Sequence, residues 1–329
     1  MQYIAPFWLP GGNLQTIWSA IAARTVAGAP PAFRRERWNT PDGDFIDVDF
    51  LERAAAPAAG PRPLLVLFHG LEGSSRSHYA QSFAAFAADN GMDYAVPHFR
   101  GCSGEMNLAP RAYHSGDYEE IGWILSQLRA RHDLSGGGPM LAVGVSLGGN
   151  ALLRWAEEAG SEAGRVASAV ASVCAPLDLA AGGAAIGRGF NRLVYTRMFL
   201  NTMKPKALAK LAQHPGLFDR DALMRASDLY TFDNVFTAPL HGFRDTDDYW
   251  SRGSAKPHLH AIQVPALVVN ARNDPFIPAA SLPRQEDVGR HVTLWQPAHG
   301  GHVGFAAGLP PGNVSSLPRE VGGWLTQHA

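Results

Sequence analysis

The sequence predicts an α/β fold, a doubly wound and mostly parallel sheet with a helical cap inserted in it. Three observations carry that prediction. Short apolar runs alternate with helical spacings from Leu64 to Ala159, and the alternation stops between Ala175 and about Ile262. Within the alternating part stands Gly144-Val145-Ser146-Leu147-Gly148, a G-x-S-x-G placed after an apolar run and before a helical one.

Taken in order, residues 1–32 read as an arm wrapped on the surface, because Phe7, Trp8, Ile17 and Trp18 need burial. Phe33 to Trp38 and Phe45 to Leu51 flank Pro41-Asp42-Gly43-Asp44, and Ile46, Val48 and Phe50 alternate with Asp47 and Asp49. That pattern is an N-terminal β-hairpin with one wet face. An Ala/Pro linker (54–63) leads to Leu64-Leu65-Val66-Leu67-Phe68, whose unbroken apolar run suits a strand buried on both faces.

Tyr79, Phe83, Phe86 and Ala87 have helical spacing, Tyr94 to Val96 is a short strand, and Tyr118, Ile121, Leu125 and Leu128 are helical again. Leu141 to Val145, Val166 to Cys174, Ala266 to Val269 and His291 to Trp295 continue the sheet, and Leu317, Val321, Trp324 and Leu325 close the chain as an amphipathic helix. Phe190, Leu193, Val194 and Met198 have helical spacing up to a break expected at Pro205, and an aromatic-rich stretch runs from Leu229 to Trp250. Some 85 residues without a strand are too many for a loop. The expected division is a core of residues 1–175 and 263–329 and a helical cap of residues 176–262.

With 329 residues the chain exceeds what one core usually fills, which fits a large domain carrying an insertion. Formal net charge is -1 and the pI about 6.9, so no global field favours nucleic acid or an anionic membrane surface. Cys102 and Cys174 lie far apart without C-x-x-C spacing, which suits a reducing cytoplasm. Before Arg24 there is no Lys or Arg, and Pro6 and Pro10 break the segment, so no signal peptide is expected. No apolar run approaches the ~20 residues of a membrane span. The 13 histidines show neither H-x-x-x-H nor H-E-x-x-H, so neither a metal nor a cofactor is expected.

A serine at a strand-to-helix turn needs glycines two residues before and after it, and Gly144 and Gly148 supply them. Ser146 is therefore the candidate nucleophile. It needs a base, an acid to orient the base, and donors for an oxyanion. His302, in His299-Gly300-Gly301-His302-Val303-Gly304-Phe305 after the last strand, is the candidate base, with His299 a neighbouring loop residue. Asp274 follows the strand Ala266 to Val269 and is the candidate acid, with Asp178 of Pro176-Leu177-Asp178 its rival. The backbone N–H groups of Leu147 and Leu71, the latter after His69-Gly70, are the candidate oxyanion donors.

These residues resemble the YheT-like branch of the α/β-hydrolases, which holds bacterial esterases and mammalian membrane-associated phospholipid hydrolases. The similar stretches are Gly12-Asn13-Leu14-Gln15-Thr16-Ile17, His69-Gly70-Leu71-Glu72-Gly73-Ser74, Phe99-Arg100-Gly101-Cys102-Ser103-Gly104, Tyr113-His114-Ser115-Gly116, Gly144 to Asn150, Asn273-Asp274-Pro275-Phe276 and His299 to Phe305. The resemblance implies an α/β-hydrolase fold with a cap, and it places Ser146, Asp274 and His302 on the family's triad. Asn273 stands where many members have a second aspartate. Glu119, five residues after His114, departs from the H-x-x-x-x-D acyltransferase signature of some relatives.

The expected function is hydrolysis of carboxylic esters through an acyl-enzyme, on a small-molecule ester with an apolar short- to medium-chain acyl group. An acyltransferase or thioesterase using the same acyl-enzyme is the alternative chemistry, and a ligand-binding protein with a silent triad the alternative class.

Overall fold

The computed structural model describes residues 1–26, 28–52 and 60–329. Eight strands form one sheet: β1 (Phe33–Asn39), β2 (Phe45–Leu51), β3 (Leu64–Phe68), β4 (Asp93–Pro97), β5 (Met140–Val145), β6 (Ala169–Val173), β7 (Ala266–Val269) and β8 (Val292–Trp295). Their order is β1-β2-β4-β3-β5-β6-β7-β8. Pairing is antiparallel from β1 through β2 to β4 and parallel from there on. This is the expected architecture. The Ala/Pro linker lies, as far as residue 59, outside the described residues.

Helices α1 (Gly12–Ile21), α2 (His78–Asp89), α3 (Tyr118–Leu134), α4 (Leu147–Ala159) and the short α5 (Ala163–Val166) precede β6. Because strand side chains alternate between faces, Leu64, Val66 and Phe68 pack with Ile121, Leu125 and Leu152 of α3 and α4. Leu65 and Leu67 pack on the other side with Phe83 of α2 and with Leu317 and Val321 of the last helix, α13 (Ser316–Thr326).

Between β6 and β7 the described chain holds helices and turns and no strand. They are α6 (Leu179–Ile186), α7 (Gly189–Asn191), a π-helical turn at Arg192–Thr196, α8 (Arg197–Gln213), α9 (Arg220–Arg225), α10 (Leu229–Val235), α11 (Thr237–Leu240), α12 (Thr246–Gly253) and a 3-10 helix at Lys256–Ala261. Four of them start on an aspartate that accepts a first-turn N–H: Asp178 from Ala181 at 3.0 Å, Asp219 from Ala222 at 2.9 Å, Asp228 from Thr231 at 2.9 Å and Asp245 from Asp248 at 2.8 Å. Leu200, Leu223, Phe232 and Phe236 give this segment a small core of its own.

Three expectations are corrected. The hairpin has no wet face on β2, because Asp47 and Asp49 are buried under the guanidinium groups of Arg37 (2.8 Å) and Arg35 (2.7 Å), and His98 closes on Asp49 at 2.9 Å. No break occurs at Pro205: α8 runs through it, with Pro205 and Asn201 both exposed, so the carbonyl that loses its partner can meet water. Phe7 is 89% exposed, whereas the polar Gln15, Thr16 and Ser19 of α1 are buried.

Candidate active site

Ser146 lies between β5 and α4 at φ 52°, ψ −120°, a conformation that non-glycine residues rarely hold. Neighbouring chain enforces it. The Ser146 N–H donates to the Val173 carbonyl of β6 at 2.8 Å, and a side chain at Gly148 would collide with the carbonyls of Phe68 and His69 at the end of β3. Glycine at 148 thus answers a close approach of backbones.

The Ser146 hydroxyl is 3.0 Å from Nε2 of His302, and Nδ1 of His302 is 2.8 Å from Oδ2 of Asp274. The other Asp274 oxygen accepts the Phe276 N–H at 2.8 Å. With Asp274 as acceptor, Nδ1 of His302 carries the hydrogen and Nε2 presents its lone pair to the serine. The Phe276 ring covers the imidazole at 4.2 Å between centroids. The two alternatives lie elsewhere: His299 is exposed with Nδ1 3.4 Å from the Asn273 amide, and Asp178 is used as a helix cap.

The loop after β3 passes beside the serine, since a Cβ on Gly70 would stand 3.2 Å from Cβ of Ser146. In this loop Gly70 N–H donates to the Tyr79 hydroxyl at 2.9 Å, Glu72 N–H to the Tyr113 hydroxyl at 2.9 Å and Gly73 N–H to the Gly70 carbonyl at 2.9 Å. Leu71 N–H has no partner among the described residues, and neither does Leu147 N–H at the start of α4. His69 explains the difference. Burial, together with His98 nearby, pushes its pKa down to about 3, so the ring is neutral; Nε2 accepts the Phe99 N–H at 3.1 Å, leaving Nδ1 to donate to the Gly70 carbonyl at 2.8 Å. A trans peptide aims its N–H opposite to its carbonyl, so holding the Gly70 oxygen on one side turns Leu71 N–H to the other.

The arm carries no motif that states its role, yet its helix α1 supplies groups that hold both loops. Oε1 of Gln15 accepts the Asn273 side-chain amide at 2.9 Å and the Gly300 N–H at 2.9 Å. The Thr16 hydroxyl accepts the His302 N–H at 2.8 Å, and Oδ1 of Asn273 accepts the Gly301 N–H at 3.0 Å. A side chain at Gly12 would strike the Asn273 carbonyl, so α1 can approach this closely only with glycine there. The one signal in the sequence was the run Gly12 to Ile17 itself, a polar patch inside an apolar arm.

Ser146, Leu71, Leu147 and His302 open on a cavity of about 1170 Å³, its mouth included. Its wall is mostly apolar, with Leu179, Ile186, Phe199, Met203, Phe232, Phe236 and Trp250 coming from the segment between β6 and β7. Buried polar groups also reach it. Asp233 accepts from the Thr237 hydroxyl at 2.6 Å and Trp250 Nε1 at 2.9 Å, and burial raises its carboxyl to about 6. Among the described residues no group of three His, Cys, Asp or Glu could hold a metal.

A family model described as alpha/beta hydrolase fold matches residues 63–308. The chain is 37% identical to Putative esterase YheT of Escherichia coli (strain K12), over 96% of this chain and 90% of that protein. It is 31% identical to Phospholipase ABHD3 of Mus musculus, over 89% of this chain and 72% of that one. Among solved structures, a Pyrobaculum calidifontis esterase superposes with a TM-score of 0.55 at 16% identity, covering 96% of this chain and 89% of its own, a likeness of fold alone. A fold of this topology, a serine elbow at the end of β5 and these two sequence relationships place the chain in the α/β-hydrolase family, in its YheT-like branch.

Proposed function

We propose that this protein is a serine carboxylesterase that cleaves small apolar esters through an acyl-enzyme, with Ser146 as nucleophile, His302 as general base and acid, and Asp274 as the group that orients the imidazole. The observation that carries the reading is the hydrogen-bonded chain Ser146–His302–Asp274, at 3.0 and 2.8 Å, beside two unpartnered backbone N–H groups at the wall of an apolar cavity. Oγ of Ser146 attacks the ester carbonyl carbon as its proton passes to Nε2 of His302. The oxygen that becomes negative is received by the N–H groups of Leu71 and Leu147, one such donor being worth about 3 kcal/mol of barrier. Collapse expels the alcohol, which takes the proton from His302; water then enters by the same route and releases the acid.

Residues 176–262 act in this reading as a cap whose apolar side chains bind the acyl chain. The names of the two relatives, esterase and phospholipase, support the ester class. Cys102 and Cys174 are both free thiols, which supports a reducing compartment such as the cytoplasm. Among the described residues no helix is long and apolar enough to cross a membrane.

A fluorophosphonate probe tests the nucleophile. Ser146 should carry the label, and folded Ser146→Ala should carry none; label retained on folded Ser146→Ala would overturn the reading. Product analysis with added alcohol acceptors measures the share of acyl groups going to water, which is expected to dominate.

A further inference from the structure

From Gly189 to Gln213 the chain is one uninterrupted helical run, formed by α7, the π-helical turn and α8. Its inner side contributes Phe199, Met203 and Lys206 to the cavity wall. Its outer side at the first three turns is unusual for water-facing structure: Phe190 is 51% exposed, Leu193 66% and Met198 51%. Arg188, Arg192 and Arg197 are exposed among them.

None of these three arginines meets a carboxylate among the described residues; Arg192 reaches only the Ser227 hydroxyl, at 3.3 Å. Exposed arginines elsewhere are mixed: Arg34 pairs with Glu36, Arg165 with Glu162 and Arg252 with Asp248, whereas Arg24, Arg76, Arg225, Arg272 and Arg290 meet no carboxylate among the described residues; here three stand unpaired at one helical run. The cause lies in the sequence. Residues 179–218 contain Arg188, Arg192, Arg197, Lys204, Lys206 and Lys210 and no acid at all, so all 29 Asp and Glu of a chain with net charge -1 lie outside this stretch. The cationic face is local, set on an otherwise acidic molecule.

We propose that this outer face, Arg188 to Met198, docks on an anionic lipid surface. Large apolar side chains alternating with unpaired arginines on one helix are the composition that an interface rewards: the apolar groups leave water for the acyl boundary while the guanidinium groups meet phosphates. An acidic protein surface would satisfy the arginines alone, leaving Phe190 and Leu193 without a place to go. Because a helix is about 10 Å across, a surface held on its outer side lies one helix thickness from the cavity on its inner side. The binding itself does not depend on the esterase reading; only its use, to bring membrane-borne esters to the pocket, rests on that reading.

The test is flotation of the full chain with vesicles of phosphatidylcholine alone and of phosphatidylcholine mixed with phosphatidylglycerol. The protein should float with the mixed vesicles, much less with the neutral ones, and less as salt rises. The variant Arg188→Ser/Arg192→Ser/Arg197→Ser should partition at least about tenfold more weakly, as should Phe190→Ser/Leu193→Ser. Both should keep the wild-type circular dichroism and the wild-type rate on a soluble short-chain ester, since none of these five residues lines the cavity. Folded Ser146→Ala should float like wild type, so a failure of the esterase reading and a failure of docking are told apart. No flotation of the wild type, equal flotation of the variants, or self-association abolished by Phe190→Ser/Leu193→Ser with no lipid binding would each overturn the proposal.

Discussion

The side-chain oxygen of Gln15 accepts the backbone N–H of Gly300 at 2.9 Å, a bond that spans 285 residues and ties the start of the chain to the loop carrying His302. The same oxygen holds the Asn273 amide next to Asp274, so one buried acceptor links the loop of the proposed acid to the loop of the proposed base.

Gln15→Ala leaves both donors unpaired, at about 1–3 kcal/mol each, and frees the two loops to move relative to one another. The expected result is a fall in kcat of about 10- to 100-fold with KM within about twofold, because alignment of the base is lost while the cavity is untouched. Gln15→Glu keeps the oxygen acceptor but loses the Nε2 donor that meets the Leu9 carbonyl at 2.9 Å, so it should recover part of the rate. Steady-state kinetics on a soluble ester checks this; a change in KM alone, or equal loss in both variants, would assign Gln15 to stability only.

Why this brace was illegible in the sequence is physical. Leu64–Phe68 and Ala266–Val269 could be read as strands because burial on both faces demands unbroken apolar runs, and Ser146, Asp274 and His302 could be read because each follows such a run in its own local context. Gln15 and Thr16 act on backbone N–H groups, which carry no sequence signature, at positions remote in the chain. Asp47 and Asp49 misled for a related reason. Their alternation with apolar residues signals water, and only the register of β1 against β2 sets Arg37 on Asp47 and Arg35 on Asp49. Phe7 was expected inside on hydrophobicity alone, although a single exposed apolar side chain is common on a surface.

Asp233 links pH to stability. Burial holds its carboxyl at about 6 against an ordinary 3.8, so the folded protein keeps a proton that the unfolded chain has released. For a raised acid the contribution is fully present below pH ~4 and is lost as pH rises through ~6. Two units correspond to about 3 kcal/mol at most. Urea unfolding of wild type and Asp233→Asn at pH 4 and pH 7 should therefore show the wild type losing stability relative to the variant, by about 1–3 kcal/mol, on going to the higher pH. A difference that stays constant would mean the carboxyl is ionised throughout.

The cavity wall makes acyl length a readout of the proposed cap. If Phe199, Met203 and Trp250 hold the chain by apolar contact, each added methylene is worth about 0.8 kcal/mol, or about fourfold in kcat/KM, until the cavity is full. Met203→Trp narrows that space and should move the optimum to shorter acyl groups while hardly changing the rate on acetate. A profile that is flat from acetyl to long acyl, or an optimum unmoved by Met203→Trp, would remove the segment between β6 and β7 from substrate binding.

Two histidines stand three residues apart after β8, and their surroundings separate them. His302 reaches Ser146 at 3.0 Å through Nε2 and Asp274 at 2.8 Å through Nδ1, both inside the range that general-base transfer requires, while exposed His299 only meets the Asn273 amide at 3.4 Å. Groups that act as one unit lose their effect together: once the base is gone, the acid that orients it has nothing left to orient. His302→Ala should then lower kcat by about 10⁴-fold or more, and adding Asp274→Asn should cost less than about tenfold beyond that. His299→Ala should keep activity within about tenfold of wild type, and its effect should multiply with that of Asp274→Asn because it touches the acid's loop and not the proton path. The five variants (the three single substitutions and the two doubles with Asp274→Asn), each verified as folded by circular dichroism and assayed on one soluble ester, decide the matter: if His299→Ala is the dead and non-additive variant, the base is His299 and the hydrogen bond between Ser146 and His302 has no part in proton transfer.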